Sequence, residues 1–228
     1  MKTALWMVLG LVLAVLSCQQ KGDDPKPENP VMGTYWYGLI SYPGETISRV
    51  FSLHFDQGSD FYWQDISGTY TGKWKYANDE VTITFNTNGI QTTFKIQDGN
   101  QMVSYKNLNH SAWTIRQFNK IEDEILLKEG PKLPQTNWKG SLILSFDFDK
   151  PGWVFYKPGT TYHTGRAESY AASGVGLWIE KSFWDASHDV QFYGVFLNGK
   201  TLIGNFQYRP FGTKDYTTLT SDQFLKTP

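Results

Sequence analysis

The chain has 228 residues, with 21 Lys and Arg against 22 Asp and Glu, and no basic run that could neutralise several phosphates. A nucleic-acid partner is therefore not expected. Aromatic residues make up 16% of the sequence, Gly and Pro are frequent, and the long Ala/Leu/Glu/Lys-rich stretches of helical proteins are missing, which points to an all-β protein.

In chain order, the first signal is Lys2 followed by a run of about a dozen apolar residues that ends at Val15-Leu16-Ser17-Cys18. Such a run is too short to span a bilayer and suits a secretory leader. Cys18 is the sole cysteine, so a disulfide within the chain is impossible, and its place behind a small residue matches the atom that receives lipid. Val15, Ser17 and Cys18 resemble the bacterial lipobox, and Leu16 is bulkier than the usual occupant. Gln19 stands where an aspartate would suggest inner-membrane retention, so the resemblance to Gram-negative lipoproteins implies the outer membrane. The expected organisation begins with a signal over 1–17 and a polar, proline-rich tether over 18–31. The membrane is then a partner through N-terminal lipid, because two or three acyl chains suffice for stable anchoring.

Residues 34–118 read as short alternating runs punctuated by turn residues, the pattern of a β-meander or small barrel. Phe51, Leu53 and Phe55 share one strand face, and Val81, Ile83 and Phe85 share another. Asn78-Asp79, Asn88-Gly89 and Asp98-Gly99-Asn100 separate such runs, and Asn-Gly supplies the positive φ values that two-residue hairpin turns need. A first β module is thus expected over 32–118. Residues 119–136 form a connector, with about two helical turns around Ile121 to Lys128 before Pro131 and Pro134.

A second module is expected over 137–225. There Leu144, Phe146 and Phe148 alternate with Ile143, Ser145 and Asp147, and Asn198-Gly199 joins two more strands as a hairpin. Both modules open alike, with Thr34-Tyr35-Trp36-Tyr37-Gly38 and Thr136-Asn137-Trp138-Lys139-Gly140 sharing a Thr-x-Trp-x-Gly frame that suggests duplication. In physical terms, a Trp near the start of the first strand plugs one barrel end, and the Gly allows close approach just beyond it.

Gly33-Thr34-Tyr35-Trp36, the stretch Ser67-Gly68-Thr69-Tyr70-Thr71-Gly72-Lys73-Trp74-Lys75-Tyr76 and the following Glu80-Val81-Thr82-Ile83-Thr84-Phe85 resemble the lipocalin-like domains of bacterial lipoproteins. The resemblance covers about a third of the chain. It implies small antiparallel β-barrels that bind a ligand, and it does not name that ligand.

Eight tryptophans lie outside the leader. Each could belong to a barrel core or to a stacking platform for a sugar. Those near expected loops are the candidates for binding an apolar or glycan ligand: Tyr62 and Trp63 after Gly58-Ser59-Asp60, and Trp153, Tyr156, Tyr162 and Trp184 beside the Gly/Pro/Ser-containing connections of the second module. Asp147-Phe148-Asp149 lacks the further oxygen ligands of a calcium loop, and Asp185-Ala186-Ser187-His188-Asp189 reads equally as a capped turn. No Gly-x-Ser-x-Gly, His-Glu-x-x-His or phosphate-cradling glycine loop occurs, and Gly174-Val175-Gly176 lacks the third glycine of a dinucleotide site. The expected function is non-catalytic binding with no cofactor or metal. An envelope protein partner is an alternative, and a glycan hydrolase using Glu168 with Asp185 or Asp189 is a weaker one.

Overall fold

The computed structural model describes residues 29–111, 113–141, 143–146, 153–156, 163–164, 170–185, 188–210, 212–214 and 217–228; for 153–156, 163–164, 170–173, 180–185, 188–190, 208 and 217–220 it describes the backbone alone. Eight strands come first: β1 (Tyr35–Ser41), β2 (Arg49–Phe55), β3 (Asp60–Asp65), β4 (Gly68–Ala77), β5 (Glu80–Phe85), β6 (Gln91–Gln97), β7 (Gln101–Asn107) and β8 (Thr114–Lys120). Each pairs antiparallel with the next, and β8 returns to β1, so the first module is a closed up-and-down barrel.

A short helix, α1 (Glu124–Glu129), leads into β9 (Thr136–Lys139), β10 (Ile143–Phe146), β11 (Trp153–Tyr156), β12 (His163–Thr164), β13 (Tyr170–Ser173), β14 (Gly176–Asp185), β15 (His188–Asn198), β16 (Thr201–Pro210) and β17 (Thr217–Thr227). Their order in the sheet is β12-β11-β10-β9-β17-β16-β15-β14-β13. The first and last strands of this module pair with each other just as in the barrel, and the curled sheet ends at β12 and β13, which do not pair with each other among the described residues.

Alternation of side chains explains the barrel. Trp36 and Ile40 of β1 and Phe51, Leu53 and Phe55 of β2 point inward and join one buried cluster with Phe61, Trp63, Trp74, Phe85, Phe94 and Phe118. The Phe51 ring lies flat on Trp63 at 3.9 Å and meets Phe118 edge-on at 5.2 Å. Two glycines make room for this packing. A Cβ on Gly38 would come within 2.5 Å of the Phe51 ring and 2.1 Å of the Gln117 carbonyl oxygen, and one on Gly72 would come within 2.4 Å of the Phe61 ring. The interior is occupied by the protein's own rings.

The turns follow local chemistry with one departure. Asn78 and Asp79 both have positive φ and make the two-residue turn between β4 and β5. Asn88-Gly89, expected as such a turn, instead ends a longer connection. There only Gly89 has positive φ, and the Asn88 side chain accepts from the Ile90 amide at 3.1 Å. That side-chain bond replaces the left-handed conformation Asn88 would otherwise need.

The repeated opening frame corresponds to a repeated hydrogen-bonded device. Trp36 Nε1 donates to Thr34 Oγ1 at 2.7 Å, and that hydroxyl donates to the carbonyl of Val31. Trp138 Nε1 donates to Thr136 Oγ1 at 2.9 Å, and that hydroxyl donates to the carbonyl of Leu133 at 2.6 Å. In both places the threonine amide also donates to the same carbonyl, three residues back, at 3.1 Å. The threonine hydroxyl thus relays between a buried indole and the turn that precedes the strand. Thr34→Val and Thr136→Val keep the side-chain shape and remove the acceptor, so each is expected to cost about 1–3 kcal/mol in urea unfolding. A large loss in one variant beside none in the other would show that the two devices are not equivalent.

The outer face of the barrel is buried where β1 and β2 meet the second sheet. Val50 joins the cluster formed by Trp138, Leu177, Phe192, Tyr193, Val195, Phe196, Leu202, Phe206 and Phe224, with Tyr35, Tyr37 and Leu39 packed against it. Asn205 Oδ1 accepts from the Val50 amide, Asn205 Nδ2 donates to the Ser48 carbonyl at 3.1 Å, and the Ser52 and Tyr193 hydroxyls are 2.7 Å apart. Val31–Pro228 accordingly forms one compact unit that holds both sheets and every residue of both cores.

Candidate ligand-binding site

The sequence candidates Tyr62 and Trp63 are neighbours on β3, so they face opposite ways. Trp63 is 2% exposed inside the barrel, flat against Phe51, with its indole nitrogen donating to Asp65 Oδ2 at 3.1 Å. It belongs to the core and presents no surface to a ligand. Tyr62 points outward and is 44% exposed. Cys18 and Tyr162 lie outside the described residues, and for Trp153, Tyr156 and Trp184 only the strand backbone of β11 and β14 is described. Glu168, Asp147 and Asp149 also lie outside them, as do the side chains of Asp185 and Asp189. Gly174 and Val175 form the β13–β14 hairpin turn rather than a loop entering a helix.

One barrel end is sealed by a polar network. The fully buried carboxylate of Asp65 accepts from the Tyr42 hydroxyl at 3.3 Å, from the Trp63 indole and from the Ser67 amide at 2.7 Å. Burial, with the Asp65 charge beside it, pushes the Tyr42 hydroxyl far above its ordinary pKa, so it stays a donor. Arg49 lies 4.9 Å over the Tyr42 ring and is paired with Glu45. Trp113 covers this end, stacked 6.3 Å from Trp63 and edge-on to Tyr42 and Phe85. The rings packed inside this barrel and its covered end leave the outer surfaces of the described residues as candidates.

Two outer surfaces stand out. On the barrel wall, Tyr35, His54 and Tyr62 sit directly across from one another on β1, β2 and β3. Their rings form a ladder, Tyr35 and His54 at 4.0 Å and 7°, His54 and Tyr62 at 6.0 Å and 21°. Burial lowers the His54 pKa, with Asp56 opposing in part, so the imidazole is neutral near pH 7 and stacks without charge. With Ser52 and Gln64 these rings enclose a shallow hollow of about 230 Å³.

The larger opening, about 490 Å³, is a groove between α1 and the turn joining β15 to β16. Local sequence fixes both walls. Asp123 caps α1 by accepting from the Leu126 amide at 2.9 Å, and Gly130, at φ 70°, ends the helix by donating to the Leu126 carbonyl. Asp123 Oδ2 also accepts from the Gly199 amide at 2.9 Å, which ties the β15–β16 turn to the helix; these backbone donors hold the Asp123 carboxyl below the usual carboxylate range. Because α1 buries Leu126, its neighbour Ile125 is left outside, 69% exposed, on the groove wall.

Trp138 and Phe196, edge-on at 5.2 Å, are core residues that lie beneath the groove. Lys132, Lys200 and Lys226 line the groove as well. Lys226 is in register with Trp138, its ammonium 5.9 Å over the indole, and its amide donates to the Lys200 carbonyl at 2.9 Å. Sequence reasoning missed this site. The signal it could have used is Ile125-Leu126-Leu127 on a short helix, where one turn against a core can bury only one face.

Comparison with protein-family models, with curated proteins and with solved structures finds no match. Among the described residues no cluster of three or more His, Cys, Asp or Glu could hold a metal ion, and no helix is long and apolar enough to cross a membrane.

Proposed function

We propose that this protein is a lipoprotein moored to the outer membrane through Cys18, whose lipocalin-like β fold serves as a non-catalytic binding module for an apolar ligand. The observation that carries this reading is the groove beside α1. Its volume lies within the range of about 300–1,000 Å³ usual for small-molecule sites, and Ile125, Pro131 and the methylene stems of the lysines give it apolar walls. The filled barrel supports the same placement, since a ligand cannot enter where Phe51, Phe61 and Trp63 already sit. The tether before Val31 would let the module work close to the lipid surface.

The test uses the compact unit Val31–Pro228 and calorimetric titration with monododecanoylglycerol below its aggregation threshold. Binding is expected, and Ile125→Glu is expected to weaken it at least tenfold by placing a charge in the apolar wall, with little change in melting temperature because Ile125 is exposed. Absence of binding to any single-chain amphiphile would overturn the reading. The ring ladder on the barrel wall favours a second reading, a glycan ligand, because aromatic faces beside Ser52 and Gln64 suit a sugar's apolar face and hydroxyls. A response to oligosaccharides that Tyr62→Ala abolishes would move the site there.

A further inference from the structure

Lys200 and Lys226 set the chemistry of the groove. Among the described residues the four ion pairs are Arg49–Glu45, Lys73–Asp60, Lys95–Glu80 and Lys132–Glu129. The third lysine of the groove is thus neutralised at 2.6 Å by its helix neighbour Glu129, and neither Lys200 nor Lys226 is. Their backbones are joined by the Lys226 amide to Lys200 carbonyl bond, so two uncompensated ammonium groups arise side by side on one wall. The one other carboxylate lining the groove, Asp123, spends its oxygens on the Leu126 and Gly199 amides. Counting Asp123 against the two lysines leaves the groove with one net positive charge next to the apolar wall of Ile125 and Pro131.

A purely apolar ligand would leave both ammonium groups without an anion, and a bare anion would leave the apolar wall of Ile125 and Pro131 unused. Resting on the binding role proposed above, we infer that the ligand is a free single-chain amphiphile with a terminal anionic group. Its chain lies along Ile125 and Pro131, and its head is held between Lys200 and Lys226. The groove is bounded on both sides by α1 and the β15–β16 turn, which suits one inserted chain rather than the flat face of a bilayer.

The experiment titrates Val31–Pro228 with dodecanoate and with monododecanoylglycerol, which share a chain and differ in head-group charge. Dodecanoate is expected to bind about tenfold more tightly at low salt, the order of two partly exposed charge contacts, and the preference is expected to shrink as salt screens it. In the double variant Lys200→Gln, Lys226→Gln the ratio should fall to about one. Both side chains reach the solvent, and unchanged far-ultraviolet circular dichroism will establish that the variant is folded.

Equal affinity of the wild-type chain for acid and ester would overturn the anionic head group while leaving the apolar site standing. A preference that survives the double variant would overturn the assignment to these two lysines. Binding of neither compound would overturn the site itself and the head-group assignment with it. Binding to vesicles containing phosphatidylglycerol without binding to monomeric dodecanoate would replace the single-chain ligand by a bilayer face.

Discussion

Phe192→Ala is expected to lower the unfolding free energy by about 3–5 kcal/mol, the range for deleting a buried phenyl ring. The ring is fully buried, 4.7 Å from Phe206 and 5.8 Å from Phe224, at the centre of the second module. It fits because two glycines lie beside it. A Cβ on Gly194 would stand 2.7 Å from the Phe192 ring and 2.8 Å from Leu202 Cδ1, so Gly194→Ala overpacks the same site and should cost about 1–3 kcal/mol. The two changes are complementary, since the space left by the ring can take the new methyl group. The double variant is therefore expected to lose at least about 1 kcal/mol less than the sum of the single losses. Urea unfolding of the four proteins of the cycle measures this, and additivity within about 0.5 kcal/mol would show that the ring does not occupy the glycine's space.

The same ring-over-glycine arrangement occurs in the barrel, where Phe51 lies at Gly38 and Phe61 at Gly72. This part of the fold was legible in the sequence. Alternation in β5 and β10 matches strands with one inner face, whereas in β2 the expected outer face is buried at Val50 and Ser52 as well, and each Thr-x-Trp-x-Gly frame lies at the first strand of its sheet. The packing of the modules on each other was not legible, because the residues that carry it look like solvent-side positions. Tyr35, Tyr37 and Ser52 alternate with the core of β1 and β2 as outward residues should, and nothing local shows that a second sheet lies against them. In β15 both faces are covered, so Phe192, Tyr193, Val195 and Phe196 are all buried and the period-2 signal disappears.

Trp63 reads as a surface candidate beside Tyr62 for a related reason. Phe61, Trp63 and Asp65 share the inner face of β3, and a carboxylate on that face conceals the phase of the strand until its three donors are known. The groove was hidden by distance along the chain. Ile125, Trp138, Phe196, Lys200 and Lys226 meet only because β17 returns to β9 and the β15–β16 turn is tied to Asp123. Spacing along a sequence carries no trace of such closure.

Asn205→Ala is expected to cost about 3 kcal/mol, because it orphans two groups at the junction of the modules. The Asn205 side chain is fully buried and bonds the buried Val50 amide and the carbonyl of the half-buried Ser48. A buried amide or carbonyl left without a partner costs roughly 1–3 kcal/mol, whereas the bonds themselves are worth less. Asn205→Asp separates the two contributions. The carboxylate can still accept from Val50, but its second oxygen then faces the Ser48 carbonyl oxygen, and a charge is buried with no counter-ion at the contact. Burial raises the folded-state pKa of such an Asp above its unfolded value. Between those two values the folded state binds more protons, so Asn205→Asp should gain stability as pH falls through the folded pKa, when the protonated acid can donate to Ser48. Chemical denaturation at pH 7 and pH 5 measures both effects. A loss below about 1 kcal/mol for Asn205→Ala would mean that water enters the junction, and a pH-independent loss for Asn205→Asp would mean that position 205 is solvated.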